Sequence, residues 1–312
     1  MFAWLLLLLA RTAEAHPGAV PIRGVYDFSD LPDAEPGAWN VWEFYPSIVI
    51  GVALMVAVYV FMAGPGRRRW RLSDVGPTAR DWTTFMLSMF IVFFSLQGPL
   101  HEVSDVYLFS GHMVQHLLIT LVFPPLLIRG IPPWMWKPVV SVGWIAAVGR
   151  FLTRPIMAFA IGTTGLYLWH VPAMYEWAMA NHDVHIIEHL SFMVTAVVMW
   201  WPAYSRIPEI PKLTPGIMMV YLFLCTIPMK GLGAIITVSD YLLYPYYSVQ
   251  PRMFGLDPMF DQRLGGLIMW IPGGLVFWVT IGVIFFRHFY KDVVAARIGT
   301  KKATRKQPLV SA

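Results

Sequence analysis

The chain has 312 residues, of which 57% are hydrophobic and only 13% are charged, and its formal net charge is +5. This composition excludes an ordinary water-soluble globular domain. Apolar stretches of about 20 residues recur along the sequence, which is the length that an α-helix needs to cross a hydrocarbon core of roughly 30 Å. Because these stretches lack the alternation of β-strands, we predict an all-α, polytopic transmembrane bundle of about seven spans.

The first 42 residues are predicted to precede the membrane domain. Within residues 1–15, a short apolar block is followed by Ala13, Glu14 and Ala15, a pattern typical of signal-peptidase sites. No Lys or Arg precedes the apolar block, so cleavage and retention of this signal-like segment both stay open. Residues 16–42 are rich in Pro, Gly and acidic residues, which predicts an irregular segment at the outer surface.

Seven apolar segments within residues 43–290 form the predicted membrane domain. They lie at about residues 43–63, 82–100, 106–128, 155–178, 184–203, 215–238 and 264–287. Lys and Arg are concentrated in alternate connections, beginning with the run from Arg67 to Arg71. Because basic connections favour the cytoplasm, we predict an outer N-terminus and an inner C-terminus. The basic tail at 291–312 is then a cytoplasmic anchor for anionic lipid.

This orientation places eight of the nine histidines on the outer side or in the outer half of a span. His112 and His116 are four residues apart in the third predicted span and therefore share one helix face. His185 and His189 repeat this spacing at the start of the fifth span, and His170 lies in the outer half of the fourth. At about 1.5 Å of rise per residue, these histidines reach a comparable depth.

Ionisable side chains inside a bilayer are costly unless they face the bundle interior and are paired or bound. Imidazole is the commonest metal ligand in proteins, so the histidines predict a metal site. The chain also has 18 methionines, whose soft thioether sulfur suits Cu(I). We predict copper, as Cu(I), with the ligands His112, His116, His170, His185, His189 and Met269.

Other polar residues are predicted to support this site. Glu188 and Gln115, which adjoin His189 and His116 in the sequence, are candidates for orienting those rings. Asp261, just outside the last span, is a candidate for steering a cation, although capping a helix is the better interpretation. The single cysteine, Cys225, lies in an apolar segment and is predicted to be a small buried hydrophobe.

Several ordered motifs carry a family resemblance. They are HMVQHLLITLVFPPLLIRGIP, LYLWHVPAMYEWA, HIIEHLSFMVTAVVMWWP, LYPYY and DQRLGGLIMWIPGG. Together they resemble the membrane-embedded CtaG family of cytochrome c oxidase assembly proteins, over about residues 80–290. The resemblance implies a seven-span protein of the bacterial inner membrane that helps a haem-copper oxidase to mature, through its copper centre. The family pattern falls on the five histidines named above, with Asp261 and Met269 in the last motif.

The leading hypothesis is therefore a noncatalytic assembly factor, a chaperone that binds copper from the outer face. It would receive copper from a periplasmic donor and pass it to, or hold it for, oxidase subunit I. A b-type haem electron-transfer protein stays open, since paired histidines on facing helices ligate haem. A copper transporter is a further alternative, although the inner half of the spans has almost no titratable groups. The common hydrolase, nucleotide-binding and HExxH motifs are missing from the sequence, and nothing predicts nucleic-acid binding.

Overall fold

The computed structural model describes residues 33–42 and 44–305, with side chains as far as residue 290, that of Phe289 excepted. The signal segment predicted at residues 1–15 lies outside the described residues. The same holds for most of the segment at 16–42 and for the side chains of the tail at 291–312. The boundaries proposed for these regions stay predictions.

Helices make up most of the described chain. They are α1 Pro46–Arg69, α2 Ala79–Leu96, α3 Pro99–Tyr107, α4 Phe109–Gly130, α5 Gly143–Leu152, α6 Pro155–Trp169, α7 Pro172–Ala180, α8 His182–Tyr204, α9 Pro215–Val238 and α10 Pro258–His288, which continues to Arg305. Shorter helical segments lie in the connections, at Ala38–Asn40, Pro133–Trp136, Lys137–Val140 and Pro245–Val249. Within the described residues, β structure is limited to one bridge between Asp33 and Arg252.

Five of the helices, α1, α4, α8, α9 and α10, are long and apolar enough to cross a membrane. Two bent pairs raise the number to seven if each pair is counted as one span: α2 with α3, bent by 42°, and α5 with α6, bent by 72°. The predicted all-α, polytopic transmembrane bundle is thus confirmed, with five to seven candidate spans. The orientation of its termini stays a prediction.

Two predicted spans end early, one at a proline and one at a glycine turn. The sequence predicts one span over residues 155–178, but α6 ends at Trp169 and α7 begins at Pro172. Proline disfavours helical backbone at the residue before it, and Val171 is indeed extended. The span predicted at 82–100 likewise ends at Leu96, because a turn through Gly98 precedes α3. Gly98 has a φ of 99°, a conformation that side chains other than hydrogen rarely allow.

The direction of the helices defines two ends of the bundle. At the histidine end, α2 and α6 finish while α4 and α8 begin; at the opposite, arginine end, α4 and α8 finish. Arg206, just after α8, donates to Asp81 of α2 at 2.5 Å and to the carbonyl of Arg129 in α4 at 2.7 Å. This contact joins three helices at the arginine end.

An apolar core fills the bundle between these two ends. The rings of Trp200 in α8 and Phe277 in α10 stack with centroids 4.9 Å apart. Helices α9 and α10 approach closely at Gly233, where an added Cβ would lie 2.8 Å from the carbonyl oxygen of Gly266. Small residues allow this close backbone packing between membrane helices. Most of the buried polar side chains lie beyond this core, at the histidine end.

Candidate metal centre

Three helices at the histidine end each carry two side chains of types that can bind metal, spaced by four residues. Residues at this spacing lie on the same face of a helix, one turn apart. The pairs are His101 and Asp105 on α3, His112 and His116 on α4, and His185 and His189 on α8. The three helices therefore present six candidate ligands at adjacent heights.

The five histidines predicted from the sequence converge in the structure. On α4, the ring centroids of His112 and His116 are 4.0 Å apart, and on α8 those of His185 and His189 are 4.4 Å apart. Between the two helices, His112 lies 5.6 Å from His185, and His116 lies 5.4 Å from His189. His170, at the end of α6, lies 6.2 Å from His116. We call these five residues, together with Asp105 and Glu188, the histidine cluster.

Two sets of three ligand atoms in this cluster lie within 4.8 Å of one another. One set comes from His112, His116 and His189, and the other from Asp105, His112 and His185. Metal–nitrogen bonds are about 2.0–2.1 Å long, so ligands of one ion lie within about 4 Å of each other. Small rotations of the side chains would bring either set to that spacing.

Many polar atoms of the histidine cluster have no hydrogen-bond partner within the described residues. They are both ring nitrogens of His112 and His116, the Nε2 atoms of His170, His185 and His189, both carboxylate oxygens of Glu188, and Oδ1 of Asp105. Buried polar atoms nearly always have a partner, because losing one costs about 1–3 kcal/mol. Unpartnered imidazole nitrogens that converge in this way fit a metal ion better than they fit an ordinary packed core.

His170 has the orientation expected of a ligand. Its Nδ1 lies 2.7 Å from the carbonyl oxygen of Leu166. Since a carbonyl only accepts, Nδ1 carries the proton and the lone pair of the ring is on Nε2. A backbone carbonyl that orients an imidazole in this way is typical of metal-binding histidines.

His101 belongs to the site but was not predicted from the sequence. Its Nε2 lies 3.3 Å from Oδ2 of Asp105, and its Nδ1 lies 2.9 Å from the side-chain nitrogen of Gln115. The amide of Gln115 can only donate there, so His101 accepts at Nδ1 and donates from Nε2. His101 therefore orients Asp105. The signal that could have identified both residues is their spacing, which equals that of the other two pairs.

The predicted partners Glu188 and Gln115 contact other histidines than those expected. Glu188 lies 3.9 Å from Nε2 of His116 and 3.9 Å from Nε2 of His185, and Gln115 contacts His101. The sequence interpretation paired each of them with the adjacent histidine. Neighbours in sequence point in different directions on a helix and do not face each other, which explains the difference.

Met269, the sixth predicted ligand, lies in an apolar and aromatic cluster. It is buried with Phe109, Met113, Tyr175 and Ile236 among its neighbours in that cluster. The ring of Tyr175 in turn lies 5.3 Å from that of His112, so this cluster adjoins the histidine cluster. A ligand role for Met269 stays a prediction.

Asp261 caps a helix, as the better of the two interpretations suggested, but that helix is α4. Its carboxylate accepts from the backbone amides of Phe109, at 2.7 Å, and of Ser110, at 3.2 Å, and from the hydroxyl of Ser110. Helix α10, to which Asp261 belongs, is capped by Asp257. Asp261 thus holds the first turn of the helix that presents His112 and His116.

The loop between α9 and α10 is bound to the site by tyrosine hydroxyls. Tyr244 donates to the carbonyl of His170 at 3.1 Å, and Tyr247 donates to the carbonyl of Ser104 at 2.7 Å. The hydroxyl of Tyr175 lies 2.9 Å from that of Tyr247. Burial raises the pKa of Tyr247 well above its usual value, so its hydroxyl stays protonated and able to donate.

The segment that contains this site matches a known family. The family model of the cytochrome c oxidase caa3 assembly factors (Caa3_CtaG) matches residues 57–291. The chain belongs to this family. The matched segment includes every residue of the histidine cluster, as well as His101 and Asp261. This member of the family is therefore a multi-pass membrane protein with its polar site at one end of the bundle.

Curated relatives of this chain occur in mycobacteria. An uncharacterised protein of Mycobacterium leprae is 24% identical over 253 residues, which are 74% of this chain and 37% of that relative. Uncharacterised proteins of Mycobacterium bovis and Mycobacterium tuberculosis are each 26% identical over 250 residues, with the same coverage. The chain thus spans little more than a third of the length of these relatives. No solved structure is significantly similar to it.

Proposed function

We propose that this assembly factor binds copper, as Cu(I), in the histidine cluster and delivers it to, or holds it for, oxidase subunit I. The observation that carries the proposal is the convergence of unpartnered imidazole nitrogens from α4, α6 and α8. Imidazole is a good ligand for copper. Membership of an oxidase assembly family supplies the reason for a copper cargo.

The surroundings of the cluster favour an ion of low charge. His112 and Glu188 are fully buried, and the ring of Phe192 lies 4.6 Å from that of His116. Burying a charge in apolar surroundings is costly, and the cost rises with the charge. The only thiol of the chain, that of Cys225, is in the apolar core and not in the cluster. The donors in the cluster are therefore imidazole nitrogens and carboxylate oxygens, and the single charge of Cu(I) suits their buried surroundings.

The site is open on one side and closed on the other. The Asp105 side chain retains 19% of its exposure, whereas residues beyond the histidines, such as Ile119, Phe123 and Phe192, are buried in apolar packing. Such packing offers an ion no polar path toward the arginine end. It therefore supports binding and release at the histidine end over transport through the bundle.

The packing of the rings also supports an ion over a haem. A porphyrin must lie between its two axial histidines. Here Phe192 is in contact with both His116 and His170, with ring centroids 4.6 Å and 6.0 Å apart. The remaining histidine rings contact one another directly. A macrocycle would have to displace these contacts, whereas a single ion would not.

We place the protein in the bacterial inner membrane with its histidine end toward the periplasm. The arginine end includes Arg67, Arg68, Arg69 and Arg71, and basic connections favour the cytoplasm. A periplasmic copper donor would then reach the cluster directly. The orientation is testable by labelling introduced cysteines from either side of inverted and right-side-out vesicles, in a background where Cys225 is changed to Ser.

The proposal is tested by elemental analysis and optical spectroscopy of detergent-purified protein loaded anaerobically with Cu(I). We expect copper to remain bound through desalting in the wild type and the amount of copper per chain to fall in His116→Ala and His189→Ala. His288→Ala, at the arginine end, is the matched control and should retain copper. A Soret band would identify haem instead, and a wild type that retains no copper would refute the proposal.

A further inference from the structure

The histidine cluster offers more donors than one copper ion can bind. First-row transition-metal ions at sites with nitrogen donors take about four ligands in proteins. His101 is not counted, since both of its nitrogens are engaged by Gln115 and Asp105. The remaining candidate donors are Asp105, His112, His116, His170, His185, Glu188 and His189.

The two carboxylates of the cluster lie on opposite edges of one imidazole ring. Nδ1 of His185 is 3.5 Å from Oδ2 of Asp105, whereas its Nε2 is 3.9 Å from Oε2 of Glu188. The two nitrogens of an imidazole point in different directions, so the ring of His185 separates the two acids. Neither set of clustered ligand atoms contains both carboxylates.

Each carboxylate has its own neighbouring histidine. Asp105 lies 3.9 Å from Nδ1 of His112, and Glu188 lies 3.9 Å from Nε2 of His116. The two sets of clustered ligand atoms have only His112 in common, and Asp105 belongs to one of them while Glu188 belongs to neither. The cluster thus divides into a group of donors beside Asp105 and a group beside Glu188, which adjoin at His112.

We propose that the histidine cluster holds two adjacent copper positions. The Asp105 position is formed with His112 and His185, and the Glu188 position is formed with His116 and His189. This inference rests on the proposed function, since it assumes that the cargo is copper. Beyond that function, we infer the number of copper ions, the charge of each ion and the two carboxylates that bind them.

Charge balance supports a monovalent ion in each position. Each position contains one carboxylate, so one Cu(I) makes it neutral. A divalent ion would leave a net charge in a region where Glu188 is fully buried. Net charges in such a region repel strongly and are poorly screened, because water is nearly excluded. Two monovalent ions with two acids leave the whole cluster neutral.

The arrangement also gives the two positions an order of filling. Asp105 retains 19% of its side-chain exposure, whereas Glu188 retains none. Copper arriving from the histidine end would bind first at the Asp105 position. It would then pass to the Glu188 position as its bonds to His112 and His185 are replaced by bonds to His116 and His189. The ring centroids of His112 and His116 are only 4.0 Å apart, and the oxidation state of copper does not change.

The test measures copper per chain after anaerobic loading with Cu(I) and competition with a colorimetric Cu(I) chelator. We expect two copper ions in the wild type, one in Asp105→Asn, one in Glu188→Gln and none in the double variant. Glu176→Gln is the matched control, since Glu176 is a partly buried acid at the same end whose carboxylate accepts from the amide of Tyr246. It should retain two ions, and the ion kept by each single variant shows that the variant is folded.

The outcomes separate this inference from the proposed function. One copper in the wild type, or two copper ions retained by either single variant, would overturn the two positions and leave the copper function standing. A single variant that loses both ions but keeps its circular dichroism spectrum would also overturn independent positions. A wild type without copper would overturn the proposed function itself.

Discussion

Asp261 accepts a hydrogen bond from the backbone amide of Phe109 at 2.7 Å, although the two residues are 152 positions apart in the chain. Phe109 begins α4, and the first amides of a helix have no partner within the helix itself. His112 follows three residues later, within the first turn of that helix. The start of the last long helix therefore positions a histidine of the candidate metal centre.

We expect Asp261→Ala to lower both stability and copper binding. Removing a cap of this kind costs about 0.5–2 kcal/mol, and the buried amides and hydroxyl that lose their acceptor add to the loss. Thermal unfolding in detergent and copper retention would be measured together. Asp257→Ala is the control, because Asp257 caps α10 and touches no residue of the histidine cluster in the described contacts. Equal loss of copper in both variants would argue against a positioning role for Asp261.

We expect His101→Ala to weaken copper binding without removing an ion. Nε2 of His101 faces Asp105 at 3.3 Å and its Nδ1 contacts Gln115, so in the proposed site His101 orients a ligand and does not bind the metal. Changes to residues that orient ligands typically cost about 10–100-fold in metal affinity. Chelator competition would measure this shift, with His112→Ala as the comparison that removes the ion of the Asp105 position. A stoichiometry that falls at saturating copper would show that His101 is itself a ligand.

We expect Tyr247→Phe to speed the release of copper. Its hydroxyl donates to the carbonyl of Ser104, the residue before Asp105, so its loss frees the α3 segment that carries this acid. A hydrogen bond of this type contributes about 0.5–1.5 kcal/mol, which corresponds to roughly a 2- to 12-fold change in rate. Stopped-flow transfer to a Cu(I) chelator would measure it. Tyr246→Phe is the matched control and should release copper at the wild-type rate.

We expect Arg206→Ala to destabilise the bundle without affecting copper. Arg206 joins α2 and α4 through Asp81 and the carbonyl of Arg129, at the end opposite to the histidines. Hydrogen bonds to charged groups contribute about 1.5–3 kcal/mol, and the 31% exposure of Arg206 places the loss toward the lower value. Thermal unfolding should show the loss, while copper per chain stays unchanged. Arg150→Ala, an exposed arginine without an ion pair among the described residues, should be neutral in both measurements.

Local features of the sequence were enough to predict the class of fold and most of the site. The length of an apolar run decides whether a helix can span a membrane, and that property belongs to the run alone. The spacing of His112 with His116, and of His185 with His189, places each pair on one helix face whatever surrounds it. The same rule applies to His101 and Asp105, which were missed because the break at Gly98 was not predicted.

Contacts between distant segments were decided only by the tertiary structure. No local pattern shows that Asp261 caps α4, that Glu188 faces His116 and His185, or that Met269 lies among aromatic side chains. These relationships depend on how each helix is rotated about its axis and how far it is shifted along its neighbours. Rotation and shift are set by the packing of side chains from several helices at once, including the glycine contact between α9 and α10. The sequence alone therefore determined that α4, α6 and α8 carry candidate ligands, and the packing determined which of these side chains meet and that α3 joins them.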